Sequence, residues 1–352
     1  MITLESWLTR HGEEDLMAEL TVIFLDSGQG DCTLIVYPDG SLTLVDCGSI
    51  KNGNIVSSSI NEVLNTYISK NNYRINNFVL THPDQDHYNL LKNFSSSINI
   101  DQIYYGGDLD LYRNGIENNA TYNFLNNHLN CTPPPNSYGG AAPDAKLSRA
   151  GVNVYILAAN CTGNPQGNTS EIKNSNSIVL LVEYLDVKIF LMGDATFTTE
   201  NFILNQCQQA NLNGLLTNNS QTVLKMGHHG SAGSTGKDWV EAITPNTIFL
   251  SADTRTFSGT GMPAASHLNN VAAWSGHIDN QAISHNYVQF VDNVHSVDYQ
   301  TFEQVGPTTY QVCSTLYGIK YLNPSKTLFE SIGGSWYYYV TDTREIYFGF
   351  TG

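Results

Sequence analysis

Thr-His-Pro-Asp-Gln-Asp-His, residues 81–87, places four residues of metal-binding type within six positions: His82, Asp84, Asp86 and His87. The apolar run Phe-Val-Leu at 78–80 leads directly into this stretch, so the four residues follow the end of a predicted buried strand. A tight loop after a strand can direct several short side chains toward one point. Because imidazoles and carboxylates are common ligands of divalent cations, the stretch predicts a metal centre at a strand end.

Two later segments have the same design. The apolar run at 187–192 ends in Gly193 and Asp194, and the run at 223–226 ends in Gly-His-His-Gly-Ser, which contains His228 and His229. An Asp after Gly is by itself most often a turn residue. Ligands nevertheless gather at strand ends in layered α/β proteins, so the three segments together predict one site.

These segments resemble the metallo-β-lactamase fold superfamily, and most closely the metallo-hydrolase domain of bacterial DNA-uptake (competence) membrane proteins and their soluble relatives. Three further segments support that branch: Phe-Leu-Asp-Ser-Gly-Gln-Gly-Asp-Cys at 24–32, Leu-Thr-Leu-Val-Asp-Cys-Gly at 42–48, and Asn-Ser-Asn-Ser-Ile-Val-Leu-Leu-Val-Glu-Tyr at 174–184. The resemblance covers roughly residues 20–275. It implies an α/β protein with a four-layer αββα sandwich.

We therefore place a hydrolase domain at residues 1–285, with an insertion at about 106–151, and a β-rich C-terminal extension at 286–352 packed on it. The insertion is either a roof over the metal site or a passive surface loop. Residues 20–46 are predicted to form two strands, 160–174 a loop, and 198–211 a helix with Thr198 or Thr199 near its N-cap.

The resemblance implies two metal positions. The second position would be formed by Asp86, His87, Asp194 and one of His228 and His229. We favour His228, the first His beyond the strand, although the double His leaves the choice open. The first position would be formed by His82 and Asp84, with Asp194 bridging the two positions.

The first position departs from the superfamily pattern. The superfamily usually has His where this chain has Asp84, and a further His ligand before the Gly-Asp strand. No His occurs here between His128 and His228, and Asn174 or Asn176 stands in that region. Because oxygen ligands favour harder cations, Mn²⁺ or Mg²⁺ competes with Zn²⁺, and one or two divalent ions are expected.

The resemblance also implies supporting residues. Asp46 and Asn176 are expected to hydrogen-bond the ligands and fix their orientation. A divalent cation lowers the pKa of bound water to about 7. We expect Asp86 to orient the resulting hydroxide, and His267 to protonate the leaving oxygen unless it is a surface or capping histidine.

Substrate-binding residues are predicted near the same strand ends. Lys225 precedes the His pair and would contact a phosphate group or point to solvent. Arg255 is an expected anion clamp, and Ser231 follows the His pair at the predicted mouth of the site.

Charge and composition restrict the substrate. The 352-residue chain has a net charge of −16, from 16 Lys and Arg against 32 Asp and Glu. Binding of long DNA without sequence preference relies on many cationic contacts, so this balance favours a small or short anionic substrate. The sequence shows no secretory signal and no apolar run that could span a bilayer, and its six cysteines are scattered. We therefore expect a cytoplasmic protein with reduced thiols and no membrane contact; a homo-oligomer stays open.

The favoured function is a metal-dependent phosphodiesterase or nuclease that uses a metal-bound hydroxide on a small or short substrate, such as a nucleotide or short nucleic acid. The same hydroxide could instead attack a carbonyl carbon in carboxylic esters, lactones or β-lactams. A non-catalytic binding module with a relic metal site is the third alternative.

Overall fold

The computed structural model describes residues 20–25, 27, 30–49, 53–91, 98–113, 118–127, 131–132, 140–210, 213–217, 221–245, 247–252, 255–257, 260–262 and 265–275. It also describes the strands of the C-terminal region between residues 287 and 351. The charged residues of the segment 5–20 predict a short helix or an N-terminal arm, and this segment lies outside the described residues except for Leu20.

The first sheet contains strands from both ends of the chain. Its strands are β1 (Leu20–Phe24), β2 (Thr33–Val36), β3 (Leu42–Val45), β4 (Arg74–Leu80), β5 (Asn99–Tyr105), β6 (Cys131–Thr132), β18 (Ser335–Val340) and β19 (Ile346–Thr351). Their spatial order is β19-β18-β1-β2-β3-β4-β5-β6, and β3, β4 and β5 run parallel. Residues 20–46 thus form three strands and not the predicted two. The chain turns back twice, once before Cys32 and once at Pro38. At the first turn, the Cys32 carbonyl accepts the Leu25 N–H.

The second sheet is built mainly from the middle of the chain. Its strands are β7 (Asn153–Ala158), β8 (Val179–Tyr184), β9 (Val187–Leu191), β10 (Gln221–Lys225), β11 (Thr247–Ser251), β14 (Tyr287–Val291) and β15 (Ser296–Asp298). Their order is β15-β14-β11-β10-β9-β8-β7, and β9, β10, β11 and β14 run parallel. Two small ribbons pair β12 (Arg255–Phe257) with β13 (Thr260–Met262), and β16 (Phe302–Gly306) with β17 (Thr309–Val312).

Seven α-helices lie within the described residues. They are α1 (Gly53–Lys70), α2 (Asn118–Asn127), α3 (Ser170–Ser175), α4 (Phe197–Gln209), α5 (Asn213–Leu216), α6 (Lys237–Ile243) and α7 (Ala265–Trp274). Short 3₁₀ turns occur at Gln85–His87, Leu109–Arg113 and His228–Gly230. The α3 helix lies inside the predicted 160–174 loop, and α4 begins after Thr196 instead of Thr198 or Thr199.

The two sheets pack face to face and each is covered by helices on its other face. Between the sheets, the rings of Phe24 and Phe249 stack with centroids 4.0 Å apart. The outer face of the first sheet packs on α1 and α2, whereas the outer face of the second packs on α4, α6 and α7. Because strands buried on both faces need apolar side chains throughout, this packing explains the unbroken burial of β1, β3 and β9. The predicted αββα sandwich is confirmed.

The C-terminal strands are continuous with this sandwich. Strand β18 pairs with β1 along its length, and β14 pairs with β11. The domain boundary at 285 stays a prediction. Two residues of the predicted insertion are fully buried: Leu125 in the core between the first sheet and its helices, and Leu147 in the core between the two sheets. A role of the insertion as a roof over the metal site stays a prediction.

Candidate metal centre

The predicted ligands meet where parallel strands of both sheets end. Strands β3 and β4 of the first sheet lead into Asp46 and the 81–87 loop. Strands β9 and β10 of the second sheet lead into Asp194 and the His pair. The carboxyl ends of parallel strands form the usual binding edge of such sheets, and here two of these edges face each other.

Asp194 is the centre of the cluster. The Nε2 atoms of His87 and His229 lie 3.2 and 3.5 Å from its Oδ1. The Nε2 atoms of His82 and His228 lie 3.6 and 3.9 Å from its Oδ2. One buried carboxylate is thus surrounded by four imidazole nitrogens.

Several of these buried atoms have no hydrogen-bond partner. They are Nε2 of His87, Nε2 of His229 and Oδ1 of Asp194. An unpaired buried polar atom costs about 1–3 kcal/mol, and an ion is one common reason for its presence. Within the described residues, three overlapping sets of ligand atoms lie close enough to hold an ion: His82–His87–Asp194, Asp86–His87–His229 and Asp31–Asp46–His87. The donor set therefore fits a divalent cation.

The structure brings His229, and not the favoured His228, to Asp86. The Nε2 atom of His229 lies 3.3 Å from Asp86 Oδ2, and its side chain is 1% exposed. Its Nδ1–H donates to the Ser251 carbonyl at 2.8 Å, which leaves the Nε2 lone pair directed into the cluster. The side chain of His228 is 25% exposed and its Nε2 lies beside Asn174. The geometry supports His229 in the second position, and the ligand assignment stays a proposal.

Asp46 lies behind His87, as the resemblance implied. Its Oδ2 accepts hydrogen bonds of 2.7 Å from His87 Nδ1 and from the Thr81 hydroxyl. Its Oδ1 accepts the Thr81 N–H, also at 2.7 Å. Because Nδ1 carries the proton, Nε2 of His87 is free to bind a cation.

Lys225 occupies neither of the two places predicted for it. It is 3% exposed, and its Nζ forms an ion pair with the buried Asp31. The Asp31 N–H donates to the Asp86 carbonyl at 3.1 Å, so this pair supports the ligand loop from behind. Burial raises the pKa of Asp31, which Lys225 opposes. Sequence reasoning did not single out Asp31, although it lies in the 24–32 segment.

At the first position, the contacts of Asp84 differ from the prediction. Oδ1 of Asp84 forms an ion pair with the Lys173 ammonium, and its Oδ2 lies 3.7 Å from His82 Nε2. Asp84 belongs to none of the three sets of ligand atoms. With its amide nitrogen facing Asp84, Asn174 donates to Oδ2 at 3.2 Å and accepts from His228 Nε2 at 3.2 Å. Lys173 was not predicted.

Asn176, predicted to support the ligands, lies away from them. It is fully buried, its Oδ1 accepts the Thr162 hydroxyl at 2.7 Å, and its Nδ2 donates to the Asn164 carbonyl at 2.9 Å. It therefore fixes the loop before α3, and Asn174 is the amide that faces the cluster.

Three other predicted residues lie around the cluster or outside the described side chains. His267 is buried, and its Nε2–H donates to the Ser234 carbonyl at 2.7 Å; burial lowers its pKa although this hydrogen bond raises it. Ser231 is partly exposed and follows the His228 turn. Arg255 lies in β12 opposite Met262, and its side chain is outside the description.

The charges within the cluster favour metal binding. Burial, with His87 beside it, lowers the pKa of His82 to about 4 and keeps its imidazole neutral. Burial opposes ionisation of Asp194, but His229, His87 and His228 hold the pKa of Asp194 well below its usual range. Burial would also lower the pKa of His229, yet Asp194 and Asp86 raise it to about 9, so this imidazole is protonated at neutral pH without a metal and must release a proton when a cation binds.

Known proteins show similarity to this chain in sequence. A family model for the metallo-β-lactamase superfamily matches residues 25–250. ComE operon protein 3 of Bacillus subtilis (strain 168) is 33% identical over 88 residues, which are 25% of this chain and 10% of that protein. The chain thus aligns with about a tenth of that curated relative.

Three solved structures of low sequence identity align with this chain at TM-scores below 0.5. A putative metal-dependent hydrolase from Parabacteroides distasonis aligns with a TM-score of 0.39 at 11% identity, covering 77% of this chain and 92% of its own. A diphosphatase of the PhnP family aligns with a TM-score of 0.37 at 10% identity, covering 77% and 94%. A variant of the β-hydroxylase CmlA has a TM-score of 0.42 at 10% identity, covering 78% and 52%. Among the described residues, no helix is long and apolar enough to cross a membrane.

Proposed function

Since this chain belongs to the metallo-β-lactamase superfamily over residues 25–250, we propose that it is a metal-dependent phosphodiesterase. Its substrate would be a small or short phosphodiester, such as a nucleotide or a short nucleic acid. The observation that carries the hydrolase assignment is the Asp194 carboxylate surrounded by four Nε2 atoms, with unpaired ligand atoms in a buried site.

Asp86, His87, Asp194 and His229 would hold a divalent cation. When bound, such a cation supplies Lewis acidity and lowers the pKa of a water molecule to about 7. The family uses divalent metals, and we propose Zn²⁺ or Mn²⁺ here, with Mg²⁺ as a further candidate because carboxylates contribute.

Asp86 is proposed to orient the attacking water. Burial opposes its ionisation, but His229, whose Nε2 lies 3.3 Å away, and the nearby His87 lower the pKa of Asp86, so the carboxylate is an acceptor at neutral pH. Its side chain is 14% exposed, so water that enters from solvent can donate a hydrogen bond to it. An acceptor fixed in this way positions the water for attack.

The phosphodiester preference rests on the cationic side of the site. Lys173 and His228 both lie at the partly exposed edge of the cluster, and an ammonium group is a point-charge binder of phosphate oxygens. His228 is partly exposed, with its Nε2–H donating to the Asn174 side-chain oxygen at 3.2 Å. Protonation of the leaving oxygen by His267 stays a prediction, since the Nε2 proton of His267 is bonded to Ser234.

Hydrolysis of bis(p-nitrophenyl) phosphate tests the proposal. Chelator-stripped protein is supplied with Zn²⁺, Mn²⁺ or Mg²⁺, and compared with Asp86→Ala, Asp194→Ala and the surface control Asp101→Asn. We expect metal-restored cleavage by the wild type and the control, and loss of at least about 100-fold in the two site variants. Metal-dependent cleavage of p-nitrophenyl acetate, a lactone or a β-lactam without phosphodiester cleavage would replace the proposal with the ester-hydrolase alternative. Hydrolysis of none of them would indicate the relic site.

A further inference from the structure

We propose that Lys173 takes the place of the first metal cation, so that the centre holds a single divalent ion with an ammonium group beside it. The inference rests on the proposed metal centre and deepens it, because it assigns the metal content and a residue that faces the anionic substrate.

The first position keeps only part of its predicted ligand set. His82 points its Nε2 to Asp194 at 3.6 Å, but the Asp84 carboxylate is turned to the Lys173 Nζ and belongs to none of the three sets of ligand atoms. The amide of Asn174 faces the remaining Asp84 oxygen at 3.2 Å. A cation at this position would have to separate an existing ion pair to gain a third ligand, and divalent cations in proteins usually take four or more.

The fold holds Lys173 in this place. Lys173 lies in α3, which begins at Thr169, and the Thr169 side chain caps the helix by accepting the Ile172 N–H at 3.3 Å. The end of the helix is fixed by the buried Asn174 and Ser175. The Lys173 side chain is 14% exposed, so its charge is largely removed from water. A rigid, partly desolvated ammonium interacts strongly with neighbouring charges.

The two metal positions differ in the charged residues around them. Lys173 compensates Asp84, whereas Asp86 and Asp194 face His87 and His229 and have no lysine or arginine ion pair among the described residues. A divalent ion at the second position is therefore attracted by two carboxylates. An ion at the first position would be repelled by the adjacent ammonium as well as by the ion already bound. The Lys173 charge remains available to a phosphoryl oxygen at the mouth of the site.

Metal content is the direct test. Purified proteins are dialysed against Mn²⁺ or Zn²⁺, freed of excess ion, and analysed by elemental mass spectrometry, with calorimetric titration as a second measurement. We expect one ion per chain in the wild type, in Lys173→Arg, and in the control Lys237→Met, whose lysine is 58% exposed. Asp84→Asn should also hold one ion, because Asp84 is not a ligand. Lys173→Met should gain a second ion.

Two results would overturn the inference. Two ions in the wild type with one in Asp84→Asn would show that Asp84 is a ligand and that the metal displaces Lys173. One ion in Lys173→Met would show that the lysine is not what excludes a second cation. One ion per chain without phosphodiester cleavage would leave this inference intact and remove the proposed substrate class, whereas no bound ion in any variant would remove both.

Discussion

Replacing Asp46 with Asn is expected to lower the affinity of the centre for a divalent cation by about 10–100-fold, with the ligands themselves unchanged. Asp46 has φ 55°, a left-handed conformation that Asn adopts readily, so the substitution does not strain the backbone. The change removes one negative charge and converts one acceptor oxygen to an NH₂ donor.

The magnitude follows from the three hydrogen bonds of 2.7 Å that Asp46 accepts, from His87 Nδ1, Thr81 Oγ1 and Thr81 N. If the new NH₂ faces His87, the ring must place its proton on Nε2, and the lone pair directed at Asp194 is lost. If the NH₂ faces the Thr81 N–H, two donors meet in a buried site at a cost of about 1–3 kcal/mol. A tenfold loss of affinity is about 1.4 kcal/mol, so either orientation gives an effect of the expected size.

Calorimetric titration of chelator-stripped protein with Mn²⁺ or Zn²⁺ measures the affinity, and urea unfolding without metal measures the cost to the fold. Asp101→Asn is the matched control, because Asp101 accepts a hydrogen bond of 2.7 Å from Arg74 at the surface. The control should change neither quantity appreciably, as expected for a surface pair. Affinity of Asp46→Asn within about threefold of the wild type, with unaltered stability, would refute the orienting role of Asp46.

Three further outcomes are expected. Lys225→Met leaves the buried Asp31 carboxylate without its cation, so the free energy of unfolding in urea should fall by about 3–5 kcal/mol. The fall should be smaller in the double variant that also carries Asp31→Asn. An equal fall in the single and the double variant would contradict this explanation. In Gly48→Ala, the new Cβ would lie 2.2 Å from the Asp86 carbonyl and displace the ligand loop, so metal titration should show at least about tenfold weaker binding. Unchanged binding would mean that the loop moves without displacing the ligands. Burial raises the pKa of Glu200 to about 7 from 4.5, against the N–H groups of Gly236 and Thr235. Since its folded pKa is the higher one, the free energy of unfolding should fall by ~3 kcal/mol between pH 4.5 and 7, and a Glu200→Gln protein with the same slope would exclude Glu200 as its source.

The sequence predicted the sheets and the meeting of the site segments because both depend on local patterns. Apolar runs such as 187–192 are long enough to form strands, and a charged residue at the end of such a run marks the strand end where ligands gather. The αββα fold and the approach of Asp86, His87 and Asp194 follow from those patterns together with the resemblance. The C-terminal strands lie at the edges of two different sheets. Their positions depend on pairing with strands that are distant in sequence, and no local pattern predicts such pairing.

The choice between the paired histidines depended on backbone conformation. His228, His229 and Gly230 have φ values of 45°, 48° and 73°, so the chain takes three successive left-handed steps at this turn. A simple count from the end of β10 assumes extended backbone and favours His228, whereas His229 is the imidazole that lies beside Asp86. Only Gly230 signals this conformation in the sequence, because histidine adopts it less often.

Lys173 and Asp31 were missed for a different reason. Each is a single charged residue whose partner, Asp84 or Lys225, is distant in sequence. Propensity favours solvent for an isolated lysine, and ion pairing in the folded chain overrides it. An alternation argument would have helped with Lys225, since its neighbours Leu224 and Met226 are apolar and β10 is covered on both faces.

The ligands are divided between the two sheets, so a bound cation would connect the two halves of the molecule. Neither half can bind a cation tightly by itself, since His87 and Asp86 belong to one and Asp194 and His229 to the other. Metal affinity is therefore coupled to the docking of the sheets, and the free energy of binding adds to the stability of their interface. Amide hydrogens of β4 and β9, far apart in sequence, should exchange more slowly together when metal is added, whereas the outer helices respond less.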